Sequence, residues 1–126
     1  MRFLSTRAHG MLDWLMGPIL IIAPLALGSD TGSAEGLVPM ILGVAMILLA
    51  FFTNYELGVV RNIPVPTHLT IDLMSGAFLA VSPWLFGFND RVWLPHLLLG
   101  LVEIGSSLMT RRNPAPSRSR TAASRA

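Results

Sequence analysis

Apolar residues run along this chain in four blocks of near-membrane length, at about 9–27, 37–53, 68–86 and 93–110, bounded by Gly, Pro, Asp and Ser. A bilayer-spanning helix needs about 20 largely apolar residues, so the pattern predicts four transmembrane helices with short connections. These spans use nearly the whole of a 126-residue chain, leaving no room for a separate soluble domain. The expected fold is an all-α membrane protein. The loops at Gly28 and Gly87 carry turn chemistry, with Gly ending one helix and Asp or Ser placed to cap the next.

The blocks also repeat. Displacing the chain by 59 positions pairs His9 with His68, Asp13 with Asp72, Gly17 with Gly76, Leu20 with Leu79, Pro24 with Pro83 and Gly28 with Gly87. A displacement of 57 pairs Leu37 with Leu94, Gly43 with Gly100, Ile47 with Ile104 and Thr53 with Thr110. The chain therefore reads as a duplicated helical hairpin, with repeat 1 at about 9–53 and repeat 2 at about 68–110 inside a transmembrane domain of residues 1–110. Each unit has an even number of spans, so both enter the membrane in the same direction, as a parallel repeat.

Composition agrees with this reading and narrows it. Hydrophobic residues make up 52% of the chain and charged residues 13%, against about 25% charged in a soluble domain; mean hydropathy is +0.61. A disordered chain and most soluble enzymes are excluded. The lack of Cys removes disulfides, thiol redox chemistry and thiolate metal sites. All nine basic residues are Arg, and they flank spans instead of forming a face, which suits anionic lipid headgroups and not nucleic acid. Arg2, Arg7, Arg61 and the five Arg of the tail fall on one side, whereas Arg91, Asp30, Glu35 and Asp90 fall on the other. The positive-inside rule then places both termini in the cytoplasm, with a bacterial inner membrane as the expected home. The tail at 111–126 is expected to be a disordered basic segment.

An N-terminal signal peptide is the competing reading of the first block, with Ala26-Leu27-Gly28 as its cleavage site. Asp13, Trp14, Pro18 and Pro24 interrupt that block, and its near copy lies mid-chain. We prefer the membrane span.

Polar residues inside the spans are the candidate chemistry. A charge at mid-bilayer costs about 2.5–3.5 kcal/mol, yet Asp13, Asp72 and Glu103 lie within the predicted helices. His9 and Asp13 are one helical turn apart and share a face, as do His68 and Asp72. Gly17 with Pro24, and Gly76 with Pro83, continue these stripes toward the outer boundary. Depth counting lets the three acids meet in the cytoplasmic half. Such a cluster suits a proton or cation relay, or a divalent site of two His and three carboxylates. The preferred reading is structural: each His–Asp pair is an interhelical lock, with Arg7 or Arg61 neutralising the acid. Glu103 stands apart because its repeat partner is Met46, and structural and functional readings of it balance. His96 is read as an interfacial first-turn residue, Tyr55 as an ordinary anchor and the Met residues as packing. No catalytic residue, cofactor or metal is expected.

The segment Val81-Ser82-Pro83-Trp84-Leu85-Phe86-Gly87-Phe88 resembles the motif of the SPW-repeat family of small prokaryotic integral membrane proteins. In that family Ser-Pro-Trp falls in the first helix of each helix pair, which is its place here; the first copy, Ala23-Pro24-Leu25, keeps only the Pro. The resemblance implies an integral membrane fold and no established activity. Physically the motif works as a helix-end device, with Ser82 satisfying a carbonyl freed by Pro83 and Trp84 anchoring at the headgroups. The functional expectation is a non-enzymatic membrane scaffold or interaction protein. The alternative is a small proton- or cation-handling protein using His9, Asp13, His68, Asp72 and Glu103. Expected partners are the bilayer, anionic lipid at the Arg-rich tail, and a further copy of the chain through its small-residue faces.

Overall fold

The computed structural model describes residues 1–114, and most of the expected basic tail lies outside them. Four helices make up the described chain: α1 (Thr6–Ala26), α2 (Ala34–Phe52), α3 (Val65–Leu85) and α4 (Leu94–Met109). No strand occurs among the described residues. Of these helices α1 and α2 are long and apolar enough to cross a membrane by length and composition, and α4 is a shorter apolar helix. Three helices begin three residues earlier than the apolar pattern suggests. Ser5 caps α1 by accepting the Ala8 N–H at 3.1 Å, Pro66 in the first turn of α3 needs no donor there, and polar Glu35 sits in the first turn of α2.

The outer loops reverse at Gly28 (φ 69°) and Gly87 (φ 72°), the left-handed conformation that Gly adopts without Cβ strain. The expected Asp and Ser caps are not formed. Ser33 precedes α2 without a side-chain cap bond and Trp93 precedes α4. Glu35 instead folds back to accept the Asp30 N–H at 2.7 Å.

Within each hairpin the helices meet closely at paired glycines. A Cβ on Gly43 would stand 2.6 Å from the Gly17 carbonyl oxygen, and one on Gly100 would stand 2.5 Å from that of Gly76. The small-residue stripes thus face inward, α1 on α2 and α3 on α4, the close approach that missing side chains permit. Between the hairpins Met16, Leu20, Met46 and Leu79 form a core, and Ala50, Tyr55, Val65 and Leu69 form a second one toward the central loop.

The hairpins also exchange backbone. The Leu4 N–H donates to the Met109 carbonyl and the Arg111 N–H to that of Leu4, both at 2.9 Å. The Ile63 N–H donates to the Phe52 carbonyl at 2.8 Å and the Asn54 N–H to that of Ile63 at 2.7 Å. The same displacements of 59 and 57 that align the sequence relate these two sets. The chain's start, the central loop and the end of α4 consequently gather at one end of the bundle.

Polarity runs opposite to that of a water-soluble bundle. His9, Asp13, Thr53, His68, Asp72, Ser82, Glu103 and Thr110 are buried, whereas Met11, Leu15, Ile22, Ile41, Leu48, Met74, Leu98 and Leu101 are exposed. Polar groups inside and hydrocarbon outside is the arrangement a lipid solvent favours.

Candidate functional site

The two His–Asp stripes converge on one another. His9 and Asp13 lie on the first turns of α1, His68 and Asp72 on those of α3, and all four are at most 3% exposed. Nε2 of His9 lies 2.8 Å from Oδ2 of Asp72 and 3.4 Å from Oδ1 of Asp13. Nε2 of His68 lies 3.0 Å from an oxygen of each acid. The two Nε2 atoms are 3.3 Å apart. The closest His–Asp contact therefore joins α1 to α3 and is not the one within a helix. No arginine is among the partners of Asp13 or Asp72 in these contacts, contrary to the neutralisation expected from Arg7 or Arg61; Arg61 turns instead to the carbonyls of Gly58 and Glu56.

The outer ring nitrogens meet threonines at the ends of α2 and α4. Thr53 Oγ1 is 2.7 Å from Nδ1 of His68, and Thr110 Oγ1 is 2.9 Å from Nδ1 of His9. Each threonine has one hydroxyl proton, already directed at its own helix: Thr53 donates to the Leu49 carbonyl at 2.6 Å and Thr110 to that of Ser106 at 2.5 Å. Each hydroxyl must then accept from the ring. This assigns the Nδ1–H tautomer to both histidines and turns both Nε2 atoms inward to the carboxylates. Every His–Thr contact joins one hairpin to the other.

Tyr55 completes one side. Its hydroxyl donates to Oδ2 of Asp13 at 3.0 Å, and the ring is 2% exposed, so it is no interfacial anchor. Burial, with the Asp13 carboxylate adding, pushes its phenol well above the usual range, and it remains a donor. By the repeat its counterpart is Arg112. Asp72 has no equivalent hydroxyl, and its Oδ1 is buried without a hydrogen-bond partner.

Glu103 stays outside this group. It is 3% exposed and packs where Gly76 leaves room, since a Cβ there would be 2.8 Å from Glu103 Cβ. Its Oε2 is 3.4 Å from the Ser75 hydroxyl, and its Oε1 has no partner. The four residues whose ligating atoms lie close enough together to hold a metal are His9, Asp13, His68 and Asp72, without the third carboxylate that depth counting suggested.

At the opposite end His96, in the first turn of α4, is buried, and its Nε2 lies 2.8 Å from the Glu35 carbonyl oxygen. Arg91 pairs with Glu35 at 2.9 Å across the hairpins. Nearby, Ser82 donates to the Leu79 carbonyl at 2.7 Å, the acceptor four residues before Pro83 that a proline leaves free. Trp84 is half-exposed beside Trp93, ring centroids 6.1 Å apart. With that geometry, the family pattern described as the SPW repeat domain matches residues 7–110. The chain belongs to the SPW repeat family. The match takes in all four helices, and the named motif closes α3. Family and apolar helices together make this a membrane protein, in a family of membrane-associated domains with no specific activity shown. No curated protein and no solved structure matches it.

Three of the site's residues escaped sequence reading. Thr53 and Thr110 were aligned by the repeat, which was their only signal. Tyr55 lies in the central loop, and nothing in the hydropathy pattern links it to Asp13.

Proposed function

We propose that this chain is a non-enzymatic scaffold or interaction protein of a bacterial inner membrane, with both termini and the central loop on the cytoplasmic side. The observation that carries the reading is where the polar interior goes. His9, His68, Asp13, Asp72, Thr53 and Thr110 contact one another across the hairpins, so that they act as a staple between two units. The Arg residues near the chain ends and in the central loop then face the cytoplasm, where the basic tail can meet anionic lipid. An apolar exterior on every helix leaves lipid or a further copy of the chain as its neighbours.

Two measurements test this. A staple requires Asp13→Asn and Asp72→Asn to lower the folded yield and thermal stability in detergent, because breaking a buried ionic network costs about 3–5 kcal/mol. Normal assembly combined with loss of proton flux in liposomes would favour a relay and end the scaffold reading. Since the chain has no Cys, Ser33→Cys gives one unambiguous topology probe. Labelling of that site from the cytoplasmic side alone would invert the orientation.

A further inference from the structure

The inward face of the staple presents a chemical problem that hydrogen bonding alone solves badly. With Nδ1–H of each histidine committed to a threonine, a neutral ring offers only a lone pair at Nε2. Two such lone pairs and two carboxylates converge in a buried space, four acceptors facing one another. Protons on both rings would place two imidazolium N–H groups of like charge head to head at 3.3 Å, and protons on both carboxyls would turn the acids into neutral donors. A single divalent cation relieves it with every group in place.

We propose that His9, Asp13, His68 and Asp72 bind one divalent transition metal ion of the zinc class, which fastens the two hairpins together. The proposal rests on the scaffold reading and names the ligand of its staple. Bonds of about 2.0–2.1 Å to tetrahedral zinc set neighbouring donors about 3.3 Å apart. The Nε2 atoms are 3.3 Å apart, the His–Asp separations run from 2.8 to 3.4 Å, and one ligating atom from each residue lies within 4.8 Å of the others, so small shifts of the carboxylates accommodate the ion. Two neutral imidazoles and two carboxylates carry a charge that a divalent cation cancels. Imidazole donors favour zinc-like metals over magnesium or calcium, which take oxygen ligands.

Two further observations point the same way. Metal-bound histidines characteristically donate their other ring N–H to an acceptor that fixes tautomer and orientation, and Thr53 and Thr110 do this for both rings. Asp72 Oδ1, buried and unpartnered, is an anionic acceptor in search of a cation or water. Asp72 and Ser75 also line a cavity of about 40 Å³ between α2 and α3, with Leu42, Met46, Leu49 and Ile71.

The test is titration of the full-length wild-type protein in detergent micelles after dialysis against EDTA. Zinc competes with a chromophoric chelator, and cobalt is added separately as a spectroscopic probe. The expected result is one zinc per chain and the intense visible absorption of tetrahedral cobalt, with no comparable uptake of magnesium or calcium. Thr53→Val, which removes the partner of an Nδ1–H, should weaken zinc binding about 10–100-fold, and Asp13→Asn with Asp72→Asn should abolish it. A folded wild-type chain that takes up no zinc overturns the proposal, and so does stoichiometric uptake that survives the double Asn variant. Uptake is read first on the wild-type chain, so the metal site stands or falls there even where a variant fails to fold. Absent zinc with the hairpins still docked removes the metal alone, whereas normal assembly of the Asn variants removes the scaffold reading.

Discussion

Two glycines five residues apart on α4 should respond to the same substitution with opposite signs. Gly100 lies against α3: an added Cβ would stand 2.5 Å from the Gly76 carbonyl oxygen, 2.7 Å from the Ala80 amide nitrogen and 2.8 Å from Ala80 Cβ. Two of those atoms are backbone and the third is a methyl carbon, so no side chain can rotate away. To reach ordinary contact α4 must withdraw by most of an ångström, and a gap of about 0.5–1 Å forfeits a quarter to a half of each dispersion contact along the interface. Overpacking of this kind costs about 1–3 kcal/mol. The better helix propensity of Ala returns up to about 1 kcal/mol, leaving Gly100→Ala destabilised by about 1–2 kcal/mol. Gly105 has only Met109 Cε at 3.7 Å near the same position, so Gly105→Ala keeps the propensity gain of about 0.5–1 kcal/mol and loses nothing. Unfolding in mixed micelles with increasing SDS, followed by far-UV circular dichroism, measures both. If the two variants shift in the same direction, the helix contact assigned to Gly100 is wrong.

Two more outcomes follow from the polar groups. Ser82→Ala strands the buried Leu79 carbonyl that Ser82 serves at 2.7 Å and should cost about 1–3 kcal/mol; adding Pro83→Ala restores a backbone donor and should recover most of it in the same unfolding assay. Tyr55→Phe removes the 3.0 Å bond to Asp13, a loss of about 1.5–3 kcal/mol for a hydrogen bond to a charged group, read as a lower unfolding midpoint; an unchanged midpoint would show that Tyr55 does not hold the central loop to α1.

The elements were legible because they depend on local hydropathy and on the repeat. Spacing alone put His9 with Asp13 and His68 with Asp72 on single helix faces, and the role of Ser82 followed from the proline beside it. What stayed hidden depends on how the hairpins dock. Facing stripes turn two intrahelical pairs into one crossed group in which His9 is closest to Asp72. Thr53 and Thr110 are helix-end residues of no distinction until each meets the imidazole of the other hairpin. Depth counting put Glu103 with the other acids because it fixes height along the bundle but not azimuth; the helix turns its carboxylate toward Ser75. His96 reads as interfacial from its position and Arg91 only as a charge on the outer side, and both serve Glu35 on the other hairpin.

The arrangement explains why the duplication is useful to this fold. Each hairpin supplies one His, one Asp and one terminal Thr, and each His takes its Thr from the other hairpin. The paired backbone bonds at the chain start and central loop cross in the same way. One hairpin therefore holds half of the buried polar cluster and takes the acceptor for its Nδ1–H from the other, so the buried charge is tolerable only when both halves are docked. Around this shared node the copies differ at Tyr55 against Arg112 and at Glu103 against Met46. These differences leave Asp13 with a hydroxyl and Asp72 with a bare oxygen, so that the two acids, alike in sequence, are unequal in chemistry. The Asp72 side, with its adjoining cavity and orphaned Oδ1, is where the node has room to adjust.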